Sequence, residues 1–411
     1  MPEQHQIFEI FSDENGSGVA FKNKTLKRSL INFLDKEGNA TIIELSRELN
    51  ISVPKTTDLV NELIEVGLLK DYGKVDSTGG RRASIYGLEA NACYFIGVDV
   101  KRYYVNLGLL NFKKQLISTT EQVPYKLENT EASLQQLVQI IKNFIRTIPV
   151  DATKLLSIGI SLSGRISHST GYNYNYFHFQ NEPLPTIIER ETGIRTCVEN
   201  DSKVMAYGEF NCGEVTTEKN VLFLNMDYGI GLGILIDGKL YYGKSGFSGE
   251  FGHTPFFENN ILCYCGKKGC LETEASGASL IRKFNERIAA GAKSTIQTKN
   301  KKTNNISLLN IIDAAKKEDP LCIELMADIG DKIGRGLAIL INVFNPELLI
   351  LGGTLSATGE HLRKPISNAL AQYSVSLVNS DTQLKLSKLG EKAGVMGSCL
   401  LARNQVLSIQ S

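Results

Sequence analysis

Four side chains with soft donor atoms fall within one short stretch: His253, Cys263, Cys265 and Cys270, in the run GEFGHTPFFENNILCYCGKKGCLE. The spacing H-x9-C-x-C-x4-C gathers one imidazole and three thiols. That set suits a tetrahedral zinc ion, with Zn–S near ~2.3 Å and Zn–N near ~2.0 Å. Four protein ligands close the shell and leave no position for water, so the ion would brace the structure rather than act on a substrate. Gly266 and Gly269 let the chain turn tightly around it. A redox-active dithiol and incidental buried thiols are the rival readings, and neither makes use of a histidine beside three converging sulfurs.

Glu250 precedes His253 and Glu272 follows Cys270 closely enough that a metal fixing this loop also fixes two carboxylates at its rim. Rigid carboxylates accept hydrogen bonds from vicinal hydroxyls with little ordering cost on binding, which points to a polyhydroxylated ligand. The competing reading assigns both glutamates to solvated surface or helix caps.

The elements that must position this loop belong to a chain of 411 residues, long enough for two or three domains. With 42% apolar and 22% charged residues it has the composition of an ordinary globular protein. Its 45 Lys+Arg against 44 Asp+Glu exclude a general electrostatic attraction to nucleic acid or acidic lipid, so any such binding must be local. The sequence lacks a long apolar run, and its first residues form neither a basic leader nor an apolar core. This predicts a cytoplasmic protein with no membrane partner, in which the eight cysteines stay reduced. Cys93, Cys197, Cys212, Cys322 and Cys399 are scattered and read as small core residues. The polar basic stretch 289–306 reads as a solvated loop.

Residues 1–20 read as a flexible segment and 21–89 as a small DNA-binding unit. Helices are expected over NKTLKRSLINFLDKEG, TIIELSRELN and SVPKTTDLVNELIEVG, with a capping box at Thr41 and Glu44 and an N-cap at Ser52 followed by Pro54. Only NIS separates the second helix from the third, a sharp helical corner. In the third helix Thr56, Leu59, Val60 and Leu63 share the core face, leaving Lys55, Thr57, Asp58 and Asn61 outward. Two short strands around a Gly-rich basic tip complete a winged helix-turn-helix. Ser52, Lys55 and Thr57 would reach base edges, while Lys70, Lys74, Arg81 and Arg82 would meet phosphates or a narrow minor groove. Asp58 on the same face opposes phosphate. A helical protein-interaction module is the bland alternative.

From residue 92 the pattern is strands followed by helices, and it recurs. CYFIGVDV, YYVNLGLL and KQLIST precede the helix EASLQQLVQIIKNFIRTI and the strand LLSIGIS, while NVLFLNM, GLGILID and KLYYG precede the helices of 307–344 and the strand ELLILGG. This weak duplication of an α/β unit predicts two lobes, 92–199 and 200–391, with a cleft between them. The C-terminal helix from about residue 392 would pack back on the first lobe.

Two motifs now carry a resemblance. C-x-C-G-x-x-G-C-x-E stands as CYCGKKGCLE, preceded by GEFGH, and ENDSKVMAYGE places an Asn-Asp pair at the mouth of a helix. Over nearly all of 21–405 the chain resembles the ROK family of repressors, open reading frames and sugar kinases. Within it the likeness is to the transcriptional repressor branch of the N-acetylglucosamine and xylose repressors. The resemblance implies the two-lobed, actin-like (ribonuclease H-like) sugar-kinase fold. It further implies a sugar held by Asn200, Asp201, Glu250, His253 and Glu272, with Asn175 as a further contact, and a His that both ligates zinc and faces the sugar.

In kinases of the family the first phosphate loop reads D-x-G-G-T and the second G-T-G-x-G. Here DVKRYY follows with bulky side chains after Asp99, and DYGIGLG puts Asp227 and Tyr228 where Gly and Thr belong, while LGGT at 351–354 keeps its form. A phosphoryl transferase needs backbone N–H groups close to phosphate oxygens, and a carboxylate there repels them. The expectation is therefore a sugar-responsive transcriptional regulator, a repressor released from operator DNA by sugar, acting as a homodimer or higher homo-oligomer. An ATP-dependent sugar kinase with Asp201 as general base is the alternative. An activator controlled by a protein partner is a third reading.

Overall fold

Each helix at the N-terminal end begins where the sequence supplies a start signal. The computed structural model describes residues 10–11, 18–74, 83–296 and 306–407, so Arg81, Arg82 and residues 297–305 of the basic stretch 289–306 lie outside the described residues. Helix α1 (Val19–Glu37) starts four residues ahead of its expected position, and the short strand β1 (Ala40–Thr41) follows. Helix α2 (Ile42–Leu49) opens on the capping box: Thr41 Oγ1 accepts from Glu44 N–H at 3.3 Å, and Glu44 Oε2 accepts from Thr41 N–H at 2.8 Å. Such a cap contributes about 1 kcal/mol. Asn50, left-handed at φ 50°, makes the corner into α3 (Val53–Glu65), and the buried residues of α3 are the four its spacing predicts, Thr56, Leu59, Val60 and Leu63. Strands β2 (Leu69–Lys74) and β3 (Ser84–Leu88) complete a three-stranded wing in the order β1-β3-β2.

The rest of the first unit is a sheet of β4 (Tyr94–Val100), β5 (Tyr104–Asn111), β6 (Leu116–Pro124), β7 (Leu155–Leu162) and β8 (Arg195–Asn200), in the order β6-β5-β4-β7-β8. Helices α4 (Glu131–Thr147) and α5 (Leu184–Thr192) lie among them in sequence. Every residue of β4 and β7 is buried, which is why both read as unbroken apolar runs. Strand β6 extends beyond the expected KQLIST because its second half, TTEQVP, is an exposed edge with no apolar alternation to mark it.

The second unit holds Ser163–Asn175 and Glu199–Gly397. It contains α6 (Asp201–Cys212), β9 (Val221–Met226), β10 (Ile230–Ile236), β11 (Lys239–Leu240), α7 (Glu272–Ala275), α8 (Gly277–Ala289), α9 (Leu308–Lys316), α10 (Pro320–Phe344), β12 (Leu348–Gly352), α11 (Glu360–Tyr373), α12 (Ser376–Asp381) and β13 (Gln383–Leu386). Its sheet runs β11-β10-β9-β12-β13, so third, second, first, fourth and fifth strands are neighbours in both sheets. The first pair is antiparallel and the first-to-fourth pair parallel in each, the physical form of the duplication seen in the sequence. Strand β11 is shorter than the expected KLYYG because the chain leaves the sheet after Tyr241 N–H bonds Ile234 O at 2.8 Å. Helix α10 buries Leu325, Ile329, Ile333 and Leu337 in the core of this unit.

One last helix, α13 (Lys392–Leu407), crosses from the second unit into the first at residue 398. Its first turns meet α6 backbone to backbone: a Cβ on Gly397 would lie 1.9 Å from Val204 O, and one on Gly208 would lie 2.5 Å from Ala393 O. Among the described residues no helix is long and apolar enough to cross a membrane. Of the scattered cysteines, Cys93, Cys322 and Cys399 are buried, whereas Cys197 and Cys212 are half-buried.

Gly397→Ala forces α6 and α13 apart and should cost about 1–3 kcal/mol, the usual range for overpacking. Urea unfolding measures this, and an unchanged midpoint would show that the two helices part freely.

Candidate functional site

The loop 241–271 is pinned to β10 before it reaches the cysteines. A Cβ at Gly249 would fall 2.0 Å from Leu232 O and one at Gly252 2.3 Å from Ile230 O, so both glycines of GEFGH are needed for this contact. Beyond it, Pro255 pairs with Cys270 and Leu262 with Lys268, and Cys263 N–H donates to Lys267 O at 2.8 Å. The result brings His253, Cys263, Cys265 and Cys270 together with their ligand atoms all within 4.8 Å of one another, a cluster that could hold a metal ion. Cys265 Sγ and Cys270 Sγ are 3.6 Å apart, too far for a disulfide at ~2.05 Å and close to the ~3.8 Å edge of a tetrahedron with ~2.3 Å metal–sulfur bonds. Cys263 Sγ lies 3.4 Å from His253 Nδ1. Burial pushes the Cys263 and Cys270 thiols up, while the Lys267 N–H and the neighbouring thiols hold Cys265 down despite its own burial. A cation entering here displaces protons from sulfur.

The imidazole has two faces. Its Nδ1 points at the sulfurs and lies 3.2 Å from Glu272 Oε1, and its Nε2 lies 3.7 Å from Glu250 Oε2. A metal on Nδ1 fixes the proton on Nε2, which then donates toward the Glu250 side. Glu272 also accepts from the Cys263 thiol at 3.0 Å and from Ile230 N–H at 3.4 Å, so it is held from both the loop and β10.

Asn200 caps α6, its Oδ1 accepting from Ser202 N–H at 3.1 Å and Lys203 N–H at 3.3 Å while its Nδ2 donates to Gly164 O at 3.0 Å. Asp201, the first helical residue, accepts from Ser202 N–H at 2.8 Å. Asn175 Oδ1 accepts from Arg165 N–H at 2.9 Å, so both asparagines are tied to the turn Gly164–Arg165. The Arg165 side chain then approaches Glu250, with Nε 3.9 Å from Oε2. The structure thus links Asn175, Asn200, Glu250, His253 and Glu272 through one set of contacts, all within the second unit.

Two cations that sequence reasoning missed belong to this set. Arg165 joins the turn to Glu250, and Lys203 is 2% exposed beneath Glu199, Asp201 and Glu250. Burial lowers the Lys203 ammonium's pKa and those three carboxylates pull it back up. A lysine in the first turn of a helix opposes the macrodipole, a signal that could have flagged it. Glu199 in turn pairs with His168, Nδ1 to Oε2 at 3.2 Å.

Asp99 and Asp227, the first residues of DVKRYY and DYGIGLG, are engaged by the protein's own side chains. Asp99 is buried, with the Lys101 ammonium 3.3 Å from Oδ2 and the Ser161 hydroxyl donating to Oδ1 at 2.9 Å. Asp227 accepts from Thr354 Oγ1 at 3.0 Å, which engages the hydroxyl of LGGT.

On α3, Ser52 is exposed and its hydroxyl makes no capping bond, Lys55 is half-buried, and the Thr57 hydroxyl donates to Val53 O at 2.9 Å. Lys70 lies 3.8 Å from Glu89 as an ion pair. Sequence reasoning missed Val53, 46% exposed at the start of α3, where an apolar side chain can meet a thymine methyl group.

Comparison with known proteins adds the following. The profile of the ROK family matches residues 95–405, and that of winged helix-turn-helix DNA-binding domains matches 24–70. The chain is 29% identical to the xylose repressor of Caldicellulosiruptor bescii over 369 residues, which span 89% of this chain and 92% of that protein. Among solved structures it is similar to a ROK family transcriptional regulator, a homologue of the Escherichia coli MLC protein, with TM-score 0.77 and 25% identity over 94% of this chain and 96% of that one. It is also similar to a ROK family glucokinase from Streptomyces griseus in complex with glucose and AMPPNP, with TM-score 0.67 and 28% identity over 76% of this chain and 99% of that one.

Purified without chelator, the protein should carry a tetrahedrally bound transition metal, seen by elemental analysis and X-ray absorption. Cys265→Ser should lower that content. Metal-free protein with its thiols oxidised in pairs would overturn this reading of the cluster.

Proposed function

Because this chain belongs to the ROK family and carries a winged helix-turn-helix DNA-binding domain ahead of its sugar-kinase-like region, we propose that it is a sugar-responsive DNA-binding transcriptional repressor. One observation carries this: a reader of DNA and a receptor of this family lie in one chain that aligns with a xylose repressor over 89% of its length. Repression ends when sugar binds the receptor, because the sugar favours the conformation that holds DNA poorly and can shift the balance only by that difference in affinity.

In this reading the sugar hydroxyls are bound by Asn175, Asn200, Asp201, Glu250, His253 and Glu272. Zinc bound by His253, Cys263, Cys265 and Cys270 holds Glu250 and Glu272 in place. Bound there, the ion supplies rigidity and fixes the imidazole tautomer. Ser52, Lys55 and Thr57 face base edges, and Arg81 and Arg82 face the backbone or minor groove. The exposed apolar residues Ile339, Val343, Phe344, Val375 and Leu377 on α10 and near α12 support self-association, and a dimer reads a palindromic operator. The protein acts in the cytoplasm, where operator and sugar meet.

A sugar kinase is the second reading, favoured by the likeness to a glucokinase with bound AMPPNP. Against it stand the bulky residues that follow Asp99 in place of Gly-Gly-Thr, and Asp227, engaged with Thr354, in place of the glycine that opens the second loop. Bulk in one loop and an added carboxylate in the other support a receptor without phosphoryl transfer.

Selection from a random duplex pool should enrich a palindromic site. D-xylose, D-glucose or N-acetylglucosamine should then lower affinity for it by about tenfold. Brisk ADP release with any of these sugars and ATP, or no enriched duplex, would overturn the proposal. Cys263→Ser should retain duplex binding and lose the sugar response, and a normal response from the metal-free variant would make the loop a bystander.

A further inference from the structure

We infer that Arg403 of α13, paired with Asp35 of α1, is the positioning residue through which sugar occupancy reaches the DNA-binding module, a role that rests on the receptor reading above. Arg403 is the largest fully buried side chain among the described residues. Its Nη2 donates to Asp35 Oδ1 at 2.6 Å and its Nη1 to Asp35 Oδ2 at 3.3 Å, a two-pronged fork that fixes direction as well as distance. Its Nε donates to Phe112 O at 3.2 Å, and the guanidinium lies 5.5 Å from the Phe112 ring centroid.

The turn between β5 and β6 completes the grip with three consecutive residues. Phe112 accepts from Arg403. The Lys113 ammonium bonds the Tyr72 hydroxyl of the wing at 2.7 Å and lies 4.4 Å from that ring's centroid. Lys114 reaches Asp35 Oδ2 at 2.8 Å. Lys114 adopts φ 62°, a left-handed conformation costly for a residue with a Cβ, in a turn that brings its ammonium to α1. The DNA-binding module is therefore attached to its neighbour by charged, directional contacts on α1 and β2.

The other end of α13 meets the helix that opens the candidate site. Gly397 and Gly208 allow α13 and α6 to touch backbone to backbone, and α6 starts at Asp201, capped by Asn200. A displacement of α6 on sugar binding cannot be absorbed by side chains at that crossing, so it passes into α13. Six residues on, Arg403 carries it to Asp35. An apolar contact in place of the fork would let α1 slide, whereas two parallel N–H···O bonds do not.

The test uses the full-length protein with the duplex from the selection above and D-xylose, D-glucose and N-acetylglucosamine as probes. Duplex affinity is read by fluorescence anisotropy with and without sugar, sugar affinity by calorimetry, and Tm alongside. Asp35→Asn keeps the shape of the pair and should leave the sugar-free duplex affinity and the sugar affinity within about twofold of wild type. The sugar effect on duplex binding should fall from about tenfold to less than about twofold. Arg403→Lys, which keeps the charge but not the fork, should do the same. Lys114→Gln leaves the fork intact and should fold even where the others do not, weakening the sugar effect part-way. Variants that respond to sugar as wild type does, or that lose both affinities in step with Tm, would overturn the inference. A wild type that binds duplex but ignores all three sugars would instead sink the receptor reading and this inference with it.

Discussion

A single imidazole joins a cluster of thiols to two carboxylates, and the geometry of the candidate site depends on that junction. His253 Nδ1 faces Cys263 Sγ while Nε2 faces Glu250, so whatever fixes one nitrogen decides what the other offers. Glu272 holds the arrangement from the side, bound both to the ring and to the backbone of β10. Neutral polyols are hard to hold because water competes for each hydroxyl, and an array that does not have to reorganise removes much of the binding cost. The glycines pressed against Leu232 O and Ile230 O extend that rigidity back into the sheet.

Charge is managed by close internal pairing. Lys203 lies beneath three carboxylates, Lys101 neutralises Asp99, and Asp227 engages Thr354. Each is a local answer to the same problem, since an ionised group away from water needs a partner.

Much of this was legible in the sequence because it is local. The buried face of α3, the capping box of α2 and the His/Cys cluster each lie within a few turns of chain, where spacing dictates geometry. The two sheets were legible for a different reason: β4, β7, β9 and β12 are covered on both faces and so announce themselves as apolar runs. The exposed half of β6 gave no such signal. Arg165 and the Asp35–Arg403 pair escaped because their partners come from distant segments, and Lys203 because a charged residue looks alike in sequence whether it faces water or is buried. Asn200 was singled out by motif and Asn175 by the family resemblance alone, and their common anchor on the turn Gly164–Arg165 appears only in three dimensions.

The two sheets share one strand order, and the step from third strand to the following helix differs sharply in length between them. After the third strand the first unit needs only residues 125–130 to reach its helix, whereas the second spends 241–271 on the same step. The loop that carries Glu250 and the His/Cys cluster is thus a longer version of one crossover. Its tip can therefore vary in sequence at little risk to the strand pairing of either sheet.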